Sequence, residues 1–153
     1  MRFFLILLGL GLIGFCGPAR AQLTVTPTQG MDFGSFVIRD FNVVSQLVVH
    51  ELTGVVTADA NTILLGGGQN GQFSLTGGPA SSAFTVTLDA TVPPVRGGSS
   101  FTLDQFLVAP AVLQTDGAGA DTFSIGMRAS SAGGGTVYSD GLYTGSYDFT
   151  VQF

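Results

Sequence analysis

"GLYTGSYDFTVQF" (residues 141–153) ends the chain with an alternation of apolar and polar side chains. The odd positions from Tyr143 to Phe153 hold aromatic residues, valine and one glycine, whereas the even positions from Thr144 to Gln152 are all polar. A period of two is typical of a β-strand with one face buried. We therefore predict a final strand whose odd face covers a core and whose even face meets water.

Similar short runs recur after residue 21, separated by Gly, Pro, Asn and Asp. Clear examples are "QLTVTPT" (22–28), "QFSLTG" (72–77) and "DTFSIGMRA" (121–129). No segment after residue 21 has a helical period. Many short strands with turn signals between them favour an all-β fold, an immunoglobulin-like or pilin-like antiparallel β-sandwich. The chain has thirteen phenylalanines and no tryptophan, and the ten phenylalanines after residue 21 supply the bulk of this core.

Three local patterns give more detailed predictions. Residues 72–77 and 82–90 alternate in the same way and predict a hairpin. Residues 92–100 predict a loop, because Pro93 and Pro94 cannot donate to a sheet ladder. In "FTLDQFLVA" (101–109) the apolar positions change from odd to even, which indicates a bulge or a bend in that strand.

The first 21 residues have the features of a secretory signal peptide. A basic start at Met1–Arg2 precedes the apolar run 3–15 and the small residues of Ala19–Ala21, so cleavage is predicted between Ala21 and Gln22. The apolar run is shorter than the roughly 20 residues that a membrane-spanning helix needs. We predict a single domain, residues 22–153, that is secreted, periplasmic or at the cell surface of a Gram-negative bacterium, with no membrane insertion after cleavage.

The charge of this domain limits its partners. Residues 22–153 contain three arginines, no lysine, nine aspartates and Glu51, so the formal charge is 3 − 10 = −7. Such a surface repels phosphates, and we expect no nucleic-acid partner. The only cysteine, Cys16, lies in the signal peptide, so no disulfide is expected.

The side chains that carry most enzyme chemistry are scarce. Residues 22–153 hold one histidine, His50, with no cysteine and no lysine, so we predict no enzyme and no cofactor. "DGAGADTFS" (116–124) partly fits a calcium-binding nonapeptide, which makes Asp116 and Asp121 weak metal candidates. The motif occurs once, and a simple turn before a strand explains it as well. A small hydrolase that uses aspartates is one hypothesis for the function, beside a structural protein and a binding module.

The order of these motifs resembles a known family. "LTVTPTQGMDFGSFV" (23–37), "GQFSLTGGPASSAFTVTL" (71–88), "FTLDQFLVAP" (101–110), "DTFSIGMRA" and the closing "GLYTGSYDFTVQF" follow the pattern of the secreted bacterial family called domain of unknown function 4402. That family is in turn similar to spore coat protein U and to fimbrial subunits, which are immunoglobulin-like sandwiches. The resemblance implies an exported protein of the bacterial surface. Fimbrial subunits often have a penultimate tyrosine, whereas Gln152 stands there in this chain.

The sequence is consistent with two pairing arrangements of the terminal strand. In the first, the strand pairs within its own domain. In the second, the sandwich is incomplete, and a groove beside the last strand accepts "QLTVTPT" from the next subunit. The residues that would close the strand or exchange it are Leu23, Val25, Tyr143, Tyr147, Phe149, Val151 and Phe153.

The sequence therefore predicts an exported, non-enzymatic structural or surface protein, and a subunit of a pilus-like or coat-like assembly is the role that we expect. Its partner would be another copy or another envelope subunit, joined by strand addition. The alternative is a binding module for a polysaccharide or another envelope component, which would use the loops 92–100 and 131–140. Tyr138, Tyr143 and Tyr147 cluster near the end and would supply rings for sugar binding.

Overall fold

The computed structural model describes residues 22–153, and the predicted signal peptide lies outside them. Within this range the chain is all-β, as the sequence predicts, and no helix in it is long and apolar enough to cross a bilayer. The strands are β1 (Thr24–Gln29), β2 (Ser35–Ile38), β3 (Gln46–Val49), β4 (Val56–Ala58), β5 (Thr62–Gly66), β6 (Gly71–Thr76), β7 (Thr85–Arg96), β8 (Ser99–Ser100), β9 (Thr102–Ala109), β10 (Asp121–Ser130) and β11 (Thr144–Gln152).

The larger sheet has six strands and is built around β10. One edge of β10 pairs with β6 in its first half and with β3 in its second half, and the other edge pairs with β9. Strand β1 extends the sheet from β6, and β4 extends it from β3. All pairs are antiparallel. Strand β10 is central because its alternation places Phe123, Ile125, Met127 and Ala129 on one fully buried face.

The second sheet contains the terminal strand. Its order is β11–β7–β8, and β11 runs antiparallel to β7 from Gln152 opposite Thr85 to Thr144 opposite Val95. A separate two-stranded ribbon joins β2 to β5. The terminal strand therefore pairs inside its own chain, and its residues Tyr147, Phe149 and Val151 pack on the core, as the alternation predicts.

The two sheets pack face to face as an antiparallel sandwich, which confirms the predicted fold class. One core cluster gathers Phe73, Leu75, Phe84, Phe123 and Ile125, together with Leu113. A second one gathers Phe101, Leu103, Met127 and Ala129. Burying one such large side chain contributes roughly 1.5–3 kcal/mol. The sandwich is not closed, and the openings at its side carry the candidate sites.

The predicted hairpin of residues 72–77 and 82–90 is wrong. These segments become β6 and the start of β7, which lie in different sheets. Between them the chain crosses over, where the N–H of Phe84 donates to the carbonyl of Leu113. Their alternation matches because Phe73 and Phe84 fill the same core from opposite sheets.

The predicted loop 92–100 is also wrong for most of its length. Strand β7 continues through Pro93 and Pro94 to Arg96, and β8 follows a two-glycine turn. A shift of register between Thr144 and Ser146 of β11 leaves both prolines outside the paired residues, so their missing N–H groups are not needed there. The carbonyl of Pro94 still accepts a bond from the N–H of Phe101.

The predicted irregularity within residues 101–109 is confirmed. The pairing of β9 with β10 shifts register between Gly126 and Arg128, and Gln105 has a positive φ of 49°. Before this bulge the core-facing residues stand at odd positions, and after it they stand at even positions. As a result, Leu103 and Phe106 both reach the core although one is odd and the other even.

Candidate functional site

An apolar groove opens between the first and last strands of the domain, and we call it the edge groove. Its volume is about 360 Å³. Strand β1 forms one wall, β11 forms the other, and β6 provides the floor. The lining residues are Leu23, Val25, Pro27, Phe73, Phe149 and Val151. None of these six side chains titrates, so the groove offers apolar surface and no charge.

The alternation of the two wall strands explains why apolar residues face the groove. Val25 and Pro27 of β1 and Leu23 just before it are spaced two residues apart, and Phe149 and Val151 are two apart along β11. The ring of Phe73 fixes the floor, because it packs 4.9 Å from the ring of Phe149 in an edge-to-face pair. The groove is therefore held by the core itself.

Both walls end in an unpaired strand edge. Among residues 22–153, β1 pairs only with β6 and β11 pairs only with β7. Each wall strand thus has a second edge whose N–H and C=O groups face no strand. Such an edge can pair with another chain. The groove therefore combines main-chain hydrogen-bonding capacity with an apolar interior.

The two ends of β1 are held to different degrees. At its C-terminal end, Gln29 Nε2 donates to the carbonyl oxygen of Asn70 at 2.9 Å and to Asn70 Oδ1 at 3.2 Å. Asn70 is buried and donates in turn to the carbonyl of Glu51. At the N-terminal end, Leu23 is 39% exposed. Strand β1 is therefore clamped at Gln29 and more exposed at its start.

The structure gathers only some of the residues predicted for strand closure. Leu23, Val25, Phe149 and Val151 meet in the edge groove, to which sequence reasoning did not assign Pro27 or Phe73. The other three predicted residues lie elsewhere. Tyr143 packs 5.1 Å from the ring of Phe101, Phe153 packs 5.6 Å from Phe84, and Tyr147 contacts both core clusters.

The candidate metal residues form a turn instead of a ligand cage. Asp116 Oδ1 accepts hydrogen bonds from the N–H groups of Ala118 at 2.8 Å and Ala120 at 2.9 Å. These bonds, that of Ala120 first, lower the pKa of the Asp116 carboxyl. Asp121 begins β10. Within residues 22–153 no three His, Cys, Asp or Glu side chains lie close enough to hold a metal ion.

A second acidic residue is held ionised on the large sheet. Arg128 donates to both carboxylate oxygens of Asp104, with Nε–Oδ1 at 2.7 Å and Nη2–Oδ2 at 2.6 Å. The hydrogen bond from Arg128 lowers the pKa of Asp104. The pKa of Tyr147 changes in the other direction: burial of its phenol disfavours the charged phenolate and raises the pKa.

Fold and groove together define a class of protein: an antiparallel sandwich left open between its first and last strands. The sequence model of the family described as "Domain of unknown function (DUF4402)" matches residues 23–153, and the chain belongs to that family. The match runs from the start of one groove wall to the end of the other, and it confirms the resemblance to this family. The similarity to spore coat protein U and fimbrial subunits stays a prediction. No curated protein and no solved structure matches the chain.

Proposed function

We propose that this chain is an exported, non-enzymatic structural subunit of a pilus-like or coat-like surface assembly. In this proposal the edge groove receives a β-strand from a neighbouring subunit. The observation that carries the proposal is the pairing of an apolar groove with two unpaired strand edges. A peptide bound only by side-chain packing would use the apolar groove alone. A peptide that adds as a β-strand would use the groove for its side chains and an unpaired strand edge for its main-chain hydrogen bonds.

Strand β11 offers the longer of the two edges. It has nine residues, which corresponds to about 30 Å of edge at roughly 3.3 Å per residue. An incoming strand would pair with this edge and direct alternate side chains into the groove. There they would cover the exposed parts of Val151 and Phe149. Covering apolar surface and satisfying main-chain groups both favour the joined state.

The donor we favour is the arm "QLTVTPT" (22–28) of a neighbouring copy, in which Leu23 and Val25 alternate with threonines. In the structure this arm pairs with β6 of its own chain. Donation therefore requires the arm to leave its own β6, pivoting near the clamp at Gln29. A strand from another envelope subunit is the second possible donor, and it requires no such release.

Two features support the non-enzymatic part of the proposal. The pKa values of Asp104 and Asp116 are both lowered, so these carboxyls stay ionised, whereas a general acid at neutral pH needs a raised pKa. The edge groove has no titratable lining residue. The predicted signal peptide supports export, and the charge of −7 in residues 22–153 supports a partner other than nucleic acid.

The test is the assembly state of the mature chain, residues 22–153, exported to a bacterial periplasm. We expect a ladder of species on unheated SDS gels and masses above the monomer in light scattering. The variant Leu23→Arg places a charge in the groove and should abolish the ladder. Thr24→Arg is the matched control, because the neighbouring side chain is exposed and outside the groove. If both variants assemble like the parent, the edge groove is not the joint.

Deleting residues 22–29 distinguishes the two donors. If the arm is the donor, the deleted chain stays monomeric, and a synthetic peptide of residues 22–29 binds it in isothermal titration calorimetry. If the deleted chain still forms the ladder when it is exported with its envelope partners, the strand comes from another subunit.

A further inference from the structure

The sandwich has a second opening, which we call the aromatic cleft. It is formed between residues 31–38 and the segment 138–145, and its volume is about 570 Å³. This size falls in the range of roughly 300–1,000 Å³ that small-molecule sites occupy. The aromatic cleft and the edge groove share no lining residue. A ligand in the cleft is thus compatible with a strand in the groove.

Aromatic rings held in fixed positions form the walls. Phe101 packs edge-to-face against Phe36 at 5.6 Å and against Tyr143 at 5.1 Å, and the ring of Tyr138 lies 4.6 Å away. The hydroxyls of Tyr138 and Tyr143 are already used. Tyr138 Oη donates to the carbonyl of Ser100 and accepts from the N–H of Ala132. Tyr143 Oη donates to the carbonyl of Ser139. Since main-chain groups occupy these hydroxyls, the rings offer mainly carbon to a ligand.

The floor of the cleft is aliphatic. Leu47, Leu103 and Ala129 line it, and each is less than 10% exposed. By contrast, the side chains with oxygen atoms, apart from the tyrosines, are all exposed at the rim: Asp32, Ser35, Ser139 and Asp140. The cleft therefore has an apolar interior and a polar mouth. A matching ligand has an apolar body and a polar end.

The charge at the mouth selects the polar end. Two carboxylates, Asp32 and Asp140, line the rim, and no basic side chain lines the cleft. One cation lies near, because the guanidinium of Arg96 packs against Gly141. The net charge around the mouth of the cleft is therefore still negative, as is the charge of the whole domain. A ligand with an anionic end is repelled.

We propose that the aromatic cleft binds a neutral amphiphile, a molecule with an apolar body and an uncharged polar end. A saccharide fits less well, because a sugar needs several donors and acceptors along its length. The interior offers an apolar floor, and the hydroxyls of Tyr138 and Tyr143 are occupied by main-chain groups. A fatty acid fits less well because of its carboxylate.

Two dyes with the same anilinonaphthalene skeleton test this charge selection. N-phenyl-1-naphthylamine is neutral, and 1-anilinonaphthalene-8-sulfonate carries a negative charge. Fluorescence titration of the mature protein should show saturable binding of the neutral dye. Binding of the sulfonate dye should be at least about ten-fold weaker, because the carboxylates at the rim repel the sulfonate group. We expect 1-dodecanol to displace the neutral dye and maltose not to do so. Displacement by maltose, or equal affinity for both dyes, would overturn the proposal.

Two pairs of variants locate the bound dye. Ala129→Leu adds carbon atoms to the floor of the cleft and should weaken binding of the neutral dye by about ten-fold or more. Ala90→Leu makes the same change on an exposed position of β7 and should leave binding unchanged. Circular dichroism and the urea midpoint confirm that each variant is folded. If a folded Ala129→Leu protein binds the neutral dye like the parent, the dye is not in the cleft.

A charge reversal at the rim avoids any change in the interior. Asp140→Lys should strengthen binding of the sulfonate dye by roughly two- to five-fold, the size of an exposed ion pair, with little effect on the neutral dye. Asp148→Lys is the matched control, since Asp148 is exposed on β11 and does not line the cleft. Equal responses of the two lysine variants would show that only the net charge matters and would refute selection at the rim.

Discussion

Replacing Phe149 by alanine tests whether the terminal strand holds its own domain together. The ring of Phe149 lies 4.9 Å from Phe73, 5.8 Å from Phe123 and 6.4 Å from Tyr147. Phe→Ala in an enclosed core costs about 3–5 kcal/mol. Because Phe149 is half-buried and lines the edge groove, part of its surface is already hydrated, and we expect about 2–3 kcal/mol.

Urea denaturation of the mature protein, followed by circular dichroism, measures this loss. With a slope of about 2 kcal/mol per molar urea, the midpoint should fall by about 1–1.5 M. Asp148→Ala is the control, because the Asp148 side chain is exposed next to Phe149. The free energy of unfolding of this variant should differ from that of the parent by less than about 0.5 kcal/mol. If Phe149→Ala unfolds at the same urea concentration as the parent, the terminal strand does not pack on its own core, and the reasoning from its alternation is refuted.

Further predictions concern backbone space, an ion pair and a buried phenol. Gly126→Ala should cost about 1–3 kcal/mol in urea denaturation, since a Cβ there would lie 2.6 Å from a main-chain nitrogen, whereas Gly117→Ala meets nothing within 4 Å and should be neutral or slightly stabilising. Asp104→Asn removes the partner of Arg128 and should cost about 0.2–1 kcal/mol, because the pair is partly exposed. The lowered pKa of Asp104 means that its contribution is present above pH about 4 and is lost as the pH falls through the folded pKa, so the variant and the parent should converge in acid. The raised pKa of Tyr147 means that its contribution is full below pH about 10 and is lost as the pH rises through the folded pKa; ultraviolet titration of phenolate in the parent, minus that of Tyr147→Phe, should show ionisation above the ordinary range.

The sequence predicts strands best where one strand buries one face. Residues 121–129 alternate without interruption, and their odd side chains from Phe123 to Ala129 are all buried. The phase change in residues 101–109 was equally informative, because a bulge is the simplest way to keep two phases on one core. Both features are local, so a single strand contains the whole signal.

Pairing partners were harder to predict, because alternation shows which face is buried and not which strand lies alongside. Residues 72–77 and 82–90 share their pattern yet belong to opposite sheets. The two prolines at 93 and 94 were misleading for a related reason. Their cost depends on the opposite strand, and the register shift in β11 removes the need for their N–H groups. Neither fact lies in the segment itself.

The edge groove shows the same limit. Its walls were predicted from alternation, since Leu23, Val25, Phe149 and Val151 were all named as candidates. Its floor was not, because Phe73 reaches the groove only through the pairing of β6 with β1. The aromatic cleft was less accessible still, because its rings come from segments far apart in the chain, such as Phe36, Phe101 and Tyr143.

The two walls of the edge groove differ in a way that assigns their roles. Strand β1 contains Pro27, which removes a main-chain donor, and its pairing with β6 already shifts register between Pro27 and Gln29. Proline on an edge strand discourages pairing with another chain. Strand β11 contains no proline between Thr144 and Gln152 and has the longer edge. With a donor from another envelope subunit, which leaves β1 on its own β6, we therefore expect the incoming strand to take its hydrogen bonds from β11, while Val25 of β1 and the preceding Leu23 form the opposite apolar wall.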